Sequence, residues 1–573
     1  MQKQDVVDFK NQITMLLKNL DIPLSEDDLL KIIEVPPEKN MGDYALPCFK
    51  LSKLLKKPPK AIADELALKI QGNLPDYLEC VDSLNGYLNM FIKKTVYFES
   101  VLETILAKGY DYGSSLIGGG KKVTIDFSSP NIAKPFHVGH FKATILGYSL
   151  YNIYKFCGYD CIGINYLGDW GTQFGKLIVA YKLWGNKKEV EDNPIKALYS
   201  LYVKFHDEAE KDPSLVTEAQ AWFKKMEDGD NEALSLWHWF KAESLEEFQK
   251  LYDILGVKFD VVVGESYYND KVDNVVKLLE SKNLLSQSEG AFIVDLEQDN
   301  MPPCLIKKSD GASLYATRDI AAALDRKEKY NFDKALYVVA VQQNLHFKQW
   351  FKVIELLGYD WYSNLAHVGF GMVSLETGTI KTRTGNVVFI EDVINKAVEK
   401  VKFIIENKNT TLKNKDEAAE KIAVGAMIFS FLSDTSYKDT VFSLDKVLDF
   451  NGETGPYLQY TYARICSLLD KAKVEVSSKI DYSVIVDDSI IDIFKIAYEF
   501  PDTILLAMSK NEPSIIAKSI MTLAQAFNSF YHSNTIITDD KTLMHARLAV
   551  VKVTQTILHN GLRLLGIEPL KEI

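Results

Sequence analysis

Apolar positions recur at helical spacing from Val6 to Leu20 and again from Lys50 to Ile70, where Pro58-Pro59 interrupts the second run. Short apolar or alternating runs at Leu29 to Val35, Cys80 to Leu84 and Leu88 to Ile92 predict strands, so residues 1–112 read as a small α+β unit. Gly118-Gly119-Gly120 predicts a flexible joint. From 120 to 415 strand-like runs alternate with helical ones, the pattern of a doubly wound parallel sheet. Its strand candidates include Val123 to Phe127, Asp160 to Asn165, Ala335 to Val341 and Ala366 to Phe370. The aromatic-rich helical stretch Ala197 to Gly256 breaks the alternation and marks an insertion over about residues 176–260. Trp222, Trp237 and Trp239 within it are expected to pack rather than to form a base-stacking platform. From 416 to 573 nearly everything reads as amphipathic helix, an all-α bundle. The predicted whole is a multidomain α/β protein.

Length changes this picture little: 573 residues exceed one core, and 47% hydrophobic with 25% charged residues describes an ordinary globular chain. Asp5, Asp8 and Lys10 interrupt any leading apolar run, and the most apolar stretch, Ile422 to Leu432, is far short of a membrane span. No membrane contact is expected, and a cytoplasmic address is. The six cysteines (Cys48, Cys80, Cys157, Cys161, Cys304 and Cys466) show no CxxC spacing, so reduced thiols and no tightly bound metal are expected. A net charge of −12 argues against a nucleic-acid partner only on average, because binding depends on local patches. Lys50, Lys53, Lys56, Lys57 and Lys60 fall within eleven residues that contain no acid; they form either a solvated helix face or a phosphate-contacting surface. Arginine is rare: Arg318, Arg326, Arg383, Arg464, Arg547 and Arg563 stand among 66 basic residues, so each position can mark a need for the planar fork.

The densest chemistry lies in Ser128 to His140, SSPNIAKPFHVGH, directly after a predicted strand and before the helical pattern Phe141, Ile145, Leu146, Leu150, Ile153, Tyr154. A strand that turns through Pro130 and Pro135 into a helix near His137 aims backbone N–H groups and the positive helix end at one point, which suits an anion. Gly139 lets a flat ligand approach the backbone, and His137 and His140 can donate to phosphate oxygens. The plainer alternative is a proline-rich turn with two capping histidines. A second cationic stretch, Lys381-Thr382-Arg383-Thr384-Gly385, precedes a helical pattern over Ile390 to Val401 and reads either as a phosphate loop or as a hairpin turn. Asp126 ends the strand before the HVGH turn, and Asp319 lies in the strand-to-helix stretch Ser313 to Asp319. Either acid alone could be a cap.

HVGH resembles the HIGH signature of class I aminoacyl-tRNA synthetases. The longer string SSPNIAKPFHVGH, with NYLGDWGTQFGKL at Asn165 to Leu177, resembles the arginyl-tRNA synthetases in particular, and the resemblance extends over essentially the whole chain. It implies ATP-dependent ligation of L-arginine to tRNA(Arg) through arginyl-adenylate, with release of AMP and pyrophosphate, and with ATP arriving as its Mg2+ complex. The nucleophile is already a carboxylate, so positioning and cations matter more than a general base. Lys134, His137, Gly139, His140, Lys381, Thr382 and Arg383 are then the ATP-handling set. The second loop departs from the class pattern, since no second KMSKS-like lysine sits in register. The resemblance gives that role to Lys134. It also implies an arginine pocket of Asp126, Asn131, Tyr315, Asp319 and Gln343, with His137 near the substrate carboxylate; carboxylates in a partly dry pocket suit a guanidinium's fixed donors. Residues 1–112 resemble the family's tRNA-contacting domain, 120–415 its Rossmann catalytic domain, and 416–573 its anticodon-binding domain. Tyr457, Tyr460 and Arg464, in the run Gly455 to Arg464, become tRNA contacts, although their helical spacing equally suits core packing. The family also implies that tRNA must be present for arginine activation, and a monomer is expected.

Three rival readings make different demands. A cysteinyl-type enzyme would want zinc-binding cysteines and would leave Asp126 and Asp319 without purpose. A small nucleotidyltransferase would lack the flanking RNA-binding domains. A catalytically silent tRNA-binding protein would not need His137, Gly139, His140 and Asp319 intact.

Overall fold

A five-stranded parallel sheet organises the larger of two units, which is made of Ser114–Tyr460, Ile504–Lys518 and Gly561–Ile573. The computed structural model describes residues 7–573 except 37, 289, 308–314, 376–388, 409–411, 413, 451 and 486. The strands are β1 (Lys122–Asp126), β2 (Asp160–Leu167), β3 (Val261–Gly264), β4 (Lys334–Ala340) and β5 (Leu365–Phe370), in the order β5-β4-β1-β2-β3. All four pairings are parallel. The chain leaves β1 toward β2 and β3 on one side and later fills β4 and β5 on the other. The strand order therefore reverses between β1 and β4, the point at whose carboxyl ends such sheets usually carry their ligand crevice.

The elements that matter for that crevice are α1 (Val138–Phe156), α2 (Asn231–Leu255), α3 (Tyr315–Tyr330) and α4 (Asn344–Leu356). Helix α1 connects β1 to β2 and is buried along most of its length. Helix α2 closes the expected helical insertion: Trp237 is buried and donates its indole N–H to Asp169 O at 2.7 Å, and Trp222 is buried as well, as packing predicts. Gly118-Gly119-Gly120 is a hydrogen-bonded turn and not a loose joint. Gly118 N–H donates to Cys157 O at 2.9 Å and Gly120 N–H to Gly158 O at 3.0 Å.

The smaller unit combines the segment up to Gly113 with Thr461–Thr503 and Ser519–Asn560. Its antiparallel sheet places Tyr87–Ile92 between Tyr44–Pro47 and Leu78–Leu84, and Asn85-Gly86 turns the hairpin with φ of +54° and +82°. Aromatic contacts fasten the early chain to the late helices: Phe98 stacks on Phe494 with centroids 4.3 Å apart, and Tyr97 lies 4.8 Å from Tyr498. Tyr112 donates its hydroxyl to Ala497 O at 2.8 Å.

One strand expectation fails here. Leu29 to Ile32 belongs to the helix Glu26–Ile32, and only Glu34 makes a single bridge, to Ala45. The reason is local: Ser25 caps the helix by accepting from Asp28 N–H at 3.1 Å, and Glu26, Asp27 and Asp28 stabilise its positive end. Conversely, β3 and the short strand Thr440–Phe442, inside the stretch read as helix, were not evident in the pattern.

Candidate active site

The turn after β1 is held in an unusual shape. Ser128, Ser129 and Ala133 have φ of +75°, +50° and +59°, a conformation that costs non-glycine residues energy and persists only when the surroundings enforce it. The enforcement is visible. Ser129 N–H donates to Asn165 Oδ1 at 3.2 Å, Ser128 Oγ lies 2.8 Å from Tyr252 Oη, and Ala133 N–H donates to Ser244 Oγ at 3.1 Å. Asn131 bridges to Gly168 at the end of β2. A methyl group on Gly168 would come within 2.2 Å of Asn131 Oδ1, so the carboxamide lies directly on that backbone.

His137 is the N-cap of α1. Its Nδ1 accepts from Gly139 N–H at 3.1 Å, while His140 Nδ1 accepts from His137 N–H at 3.4 Å, and the rings stack 3.9 Å apart. The bland reading, two capping histidines, is thus true as far as it goes. It also fixes the chemistry: a neutral ring that accepts at Nδ1 carries its proton on Nε2. Burial, with the Lys134 charge adding, lowers His137 to about 4, and burial with His137 and Lys134 keeps His140 well below its ordinary value. Both rings are neutral donors at pH 7 and not cations. Gly139 has a reason beyond ligand access, since a Cβ there would meet His137 Cε1 at 2.9 Å. The nearby cation is Lys134, whose Nζ lies 5.6 Å from the centroid of Tyr202 in the helical insertion. Lys381, Thr382 and Arg383 lie outside the described residues.

The expected arginine-pocket residues do gather at the carboxyl edge, but in different states. Asp126, 5% exposed, has its carboxylate committed: Oδ2 accepts from Arg326 NH1 at 2.7 Å and Oδ1 from Ser129 Oγ at 2.9 Å. Each oxygen thus already serves one protein donor, an arrangement the expectation for Asp126 did not include. Burial raises Asp126 and the Arg326 contact pulls it back. The net direction is upward, while the Arg326 guanidinium keeps its own charge. Arg326 in turn lies 5.1 Å from the Tyr166 ring centroid.

Asp319, on the first turns of α3, sits 2.6 Å from His346 Nε2 of α4 and retains partial exposure. Tyr315 opens α3 and is 66% exposed; partial burial of its hydroxyl and the Glu265 charge raise its pKa. Gln343 ends the turn after β4 and is exposed.

A carboxylate missed by sequence reasoning completes this edge. Glu265 follows β3 directly, 3.6 Å from Arg318 NH1, and burial raises it to about 7 against the pull of Arg318, with Asp319 and Asp169 adding to the rise. Glu265 Oε2, Arg318 Nε and Tyr166 Oη are buried without a hydrogen-bond partner among the described residues. The turn carrying Glu265 is fixed by the buried Asp169, which accepts from Ser266 N–H and Oγ, both at 2.8 Å, and from Lys241 Nζ at 2.6 Å. The available signal for Glu265 was an acid immediately after the apolar run Val261-Val262-Val263; for Arg326 it was the rarity of arginine.

The expected RNA contacts divide as well. Lys50, Lys53, Lys56, Lys57 and Lys60 are all exposed around the junction of the helices Phe49–Leu55 and Pro59–Gln71. Folding brings Glu65 onto Lys57, so the cluster is acid-free in sequence but not in space. Tyr460 is 44% exposed and Tyr457 half-buried. Arg464 donates to Asn528 Oδ1 at 2.9 Å and lies 4.8 Å from the Tyr531 ring centroid, contacts of the kind the packing alternative expects. Among the described residues no group of three or more His, Cys, Asp or Glu side chains could hold a metal ion, and no helix is long and apolar enough to cross a membrane.

Residues 101–444 match the family described as tRNA synthetases class I (R), catalytic domain; 458–573 match the DALR anticodon binding domain, and 8–92 the arginyl tRNA synthetase N terminal domain. The arginine–tRNA ligase of Alkaliphilus metalliredigens is 53% identical over 561 residues, covering 98% of this chain and 99% of that protein. That of Clostridioides difficile is 53% identical over 559 residues, covering 98% of both. The solved arginyl-tRNA synthetase of Thermus thermophilus shares the fold with a TM-score of 0.80 at 23% identity, covering 99% of both chains. The Plasmodium falciparum arginyl-tRNA synthetase gives a TM-score of 0.78 at 25% identity, covering 99% of this chain and 100% of that one. Through its catalytic core and its nearly full-length relatives, the chain belongs to the arginine–tRNA ligase family of class I tRNA synthetases.

Proposed function

We propose that the crevice between β1 and β4 is where this arginine–tRNA ligase joins L-arginine to the α-phosphate of ATP. The observation that carries this reading is the juxtaposition at one sheet edge of a helix N-terminus capped by His137 and His140 with the carboxylates Asp319 and Glu265. A carboxylate oxygen of arginine attacks the α-phosphorus, the bond to the bridging oxygen breaks, and pyrophosphate leaves. Neutral His137 and His140 donate Nε2–H to the charge that develops on phosphate, with Lys134 as the nearby cation and Lys381, Thr382 and Arg383 as further ATP contacts. The substrate guanidinium is held by Asp319 and Glu265, with Tyr315, Asn131 and Gln343 around it. Asp126 supports the pocket through Arg326. A tRNA terminal hydroxyl, the 2′ by class, then attacks the acyl carbon and AMP leaves.

Mg2+ enters with ATP as part of the substrate. Residues 1–112 and 416–573 serve the tRNA and 120–415 the chemistry, and the chain works as a cytoplasmic monomer. ATP–pyrophosphate exchange with each of the twenty amino acids, run with and without tRNA, tests this reading. Exchange is expected with arginine alone among them, and only when tRNA is present. Exchange with another amino acid would overturn the pocket assignment, and strong exchange in RNA-free protein would overturn the dependence on tRNA.

A further inference from the structure

Two residues beyond His140, the side chain of Lys142 is buried, with 2% of its surface exposed. A lysine in that state is costly unless its three N–H donors are all met. Here Nζ donates to Gly371 O at 3.3 Å, Lys438 O at 3.1 Å and Thr440 Oγ1 at 3.3 Å. These acceptors belong to the crossing where the chain leaves β5 and meets the segment Lys438–Thr440. That crossing is otherwise well tied, since Gly371 N–H donates to Ser436 O at 3.0 Å and Thr440 N–H to Met372 O at 2.8 Å. A second bond reaches the same HVGH element from the other direction: Ile390 N–H donates to Phe136 O, one residue before His137, at 3.1 Å. Gly371 and Ile390 bracket, in sequence, the stretch that holds Lys381 and Arg383.

We propose that Lys142 is a positioning residue for adenylate formation, its ammonium fastening the helix that carries His137 and His140 to Gly371 and to the Lys438–Thr440 crossing. The residue type follows from the geometry. Three oxygens from two separate chain segments call for at least three donors on one cationic side chain, which lysine supplies; a glutamine amide has two and a methionine none. Burial lowers Lys142 to about 8, with Asp439, Glu512 and Asp434 pulling it upward, so the charged form prevails at neutral pH. The inference rests on the reading that His137 and His140 act on the α-phosphate.

The test compares K142M, K142Q, K142R and H140N in the full chain by tRNA-supported pyrophosphate exchange, with thermal midpoints for each. K142M and K142Q should lower kcat about 10- to 100-fold, as small misplacements of reacting groups do, and leave the KM for arginine within about twofold. K142R, which keeps the charge, should recover most of kcat. If K142M does not fold, K142Q against K142R carries the comparison. A kcat within about twofold of wild type in a folded K142Q, beside an impaired H140N, would overturn the role of Lys142 alone. An unimpaired H140N would overturn the underlying reading of the HVGH site. Equal falls in kcat and rises in KM for K142Q, tracking its thermal midpoint and not recovered in K142R, would reduce Lys142 to a stabilising residue.

Discussion

The carboxyl edge of β1 and the Lys50–Lys60 surface both concentrate charge, and they do so in opposite ways. At the sheet edge, Asp126 gives one oxygen to Arg326 and the other to Ser129, and both histidine rings are committed at Nδ1 to backbone donors. At the lysine surface, Lys57 meets Glu65, while Lys50, Lys53, Lys56 and Lys60 stand exposed. Buried charges depend on a few fixed partners, so the effect of changing one is large and specific. Exposed charges act through a shared, salt-screened field, so their effects are small and accumulate.

The contrast is broken most severely at Arg326. Replacing it with leucine leaves Asp126 buried and unpaired, and stability should fall by about 3–5 kcal/mol, read from denaturant midpoints. The double change D126N with R326M removes both charges and should recover much of that loss. A double variant as unstable as R326L would show that shape, not charge pairing, is what matters there.

Next in size is Asp319. The D319N variant should lose at least about 3 kcal/mol in kcat/KM for arginine, more than 100-fold, with the KM for ATP nearly unchanged, because the carboxylate removed is the partner of the guanidinium. Near-normal charging of tRNA by D319N would remove Asp319 from the pocket.

The smallest effects belong to the lysines. Changing Lys50, Lys53, Lys56 and Lys60 to glutamine should flatten the plot of log K for tRNA against log salt by about 0.7–0.9 for each phosphate left without its cation. K57Q alone should change it least, since Glu65 already shares that charge. A slope identical to wild type in the fourfold variant would leave the cluster as a solvated helix face.

The same contrast explains what could be read from the chain. The HVGH turn is legible because its distinctive residue types fall in thirteen consecutive positions, Ser128 to His140. Four of the five parallel strands announce themselves as strand-like runs of five residues or more, whereas β3 spans only Val261–Gly264 and escapes notice. The pairing of Asp126 with Arg326 is not legible, because the partners lie 200 residues apart and no local pattern carries that distance. Glu265 was missed with the strand that presents it. The Leu29 to Val35 error had a local remedy, since the Ser25 cap and the three acids after it outweigh the apolar run. Arg464 shows the reverse case: the resemblance offered it to RNA and its helical spacing to packing, and its contacts to Asn528 and Tyr531 follow the spacing.

Glu265 adds something that contact geometry does not express. A carboxyl group at about 7 is roughly half protonated at neutral pH, so the ligand-free site stores a fraction of a proton. Because its folded value lies above the ordinary 4.5, that proton stabilises the fold most at low pH, and the contribution fades as pH rises through about 7. A guanidinium arriving beside Glu265 would drive the proton out. Arginine uptake would then be an exchange, one cation entering as part of another leaves, and the net charge gained by the site would be less than the charge of the ligand. Calorimetry in buffers of different ionisation heat should register the release of roughly half a proton per arginine at pH 7. An enthalpy independent of buffer would show that Glu265 is already ionised or does not face the substrate.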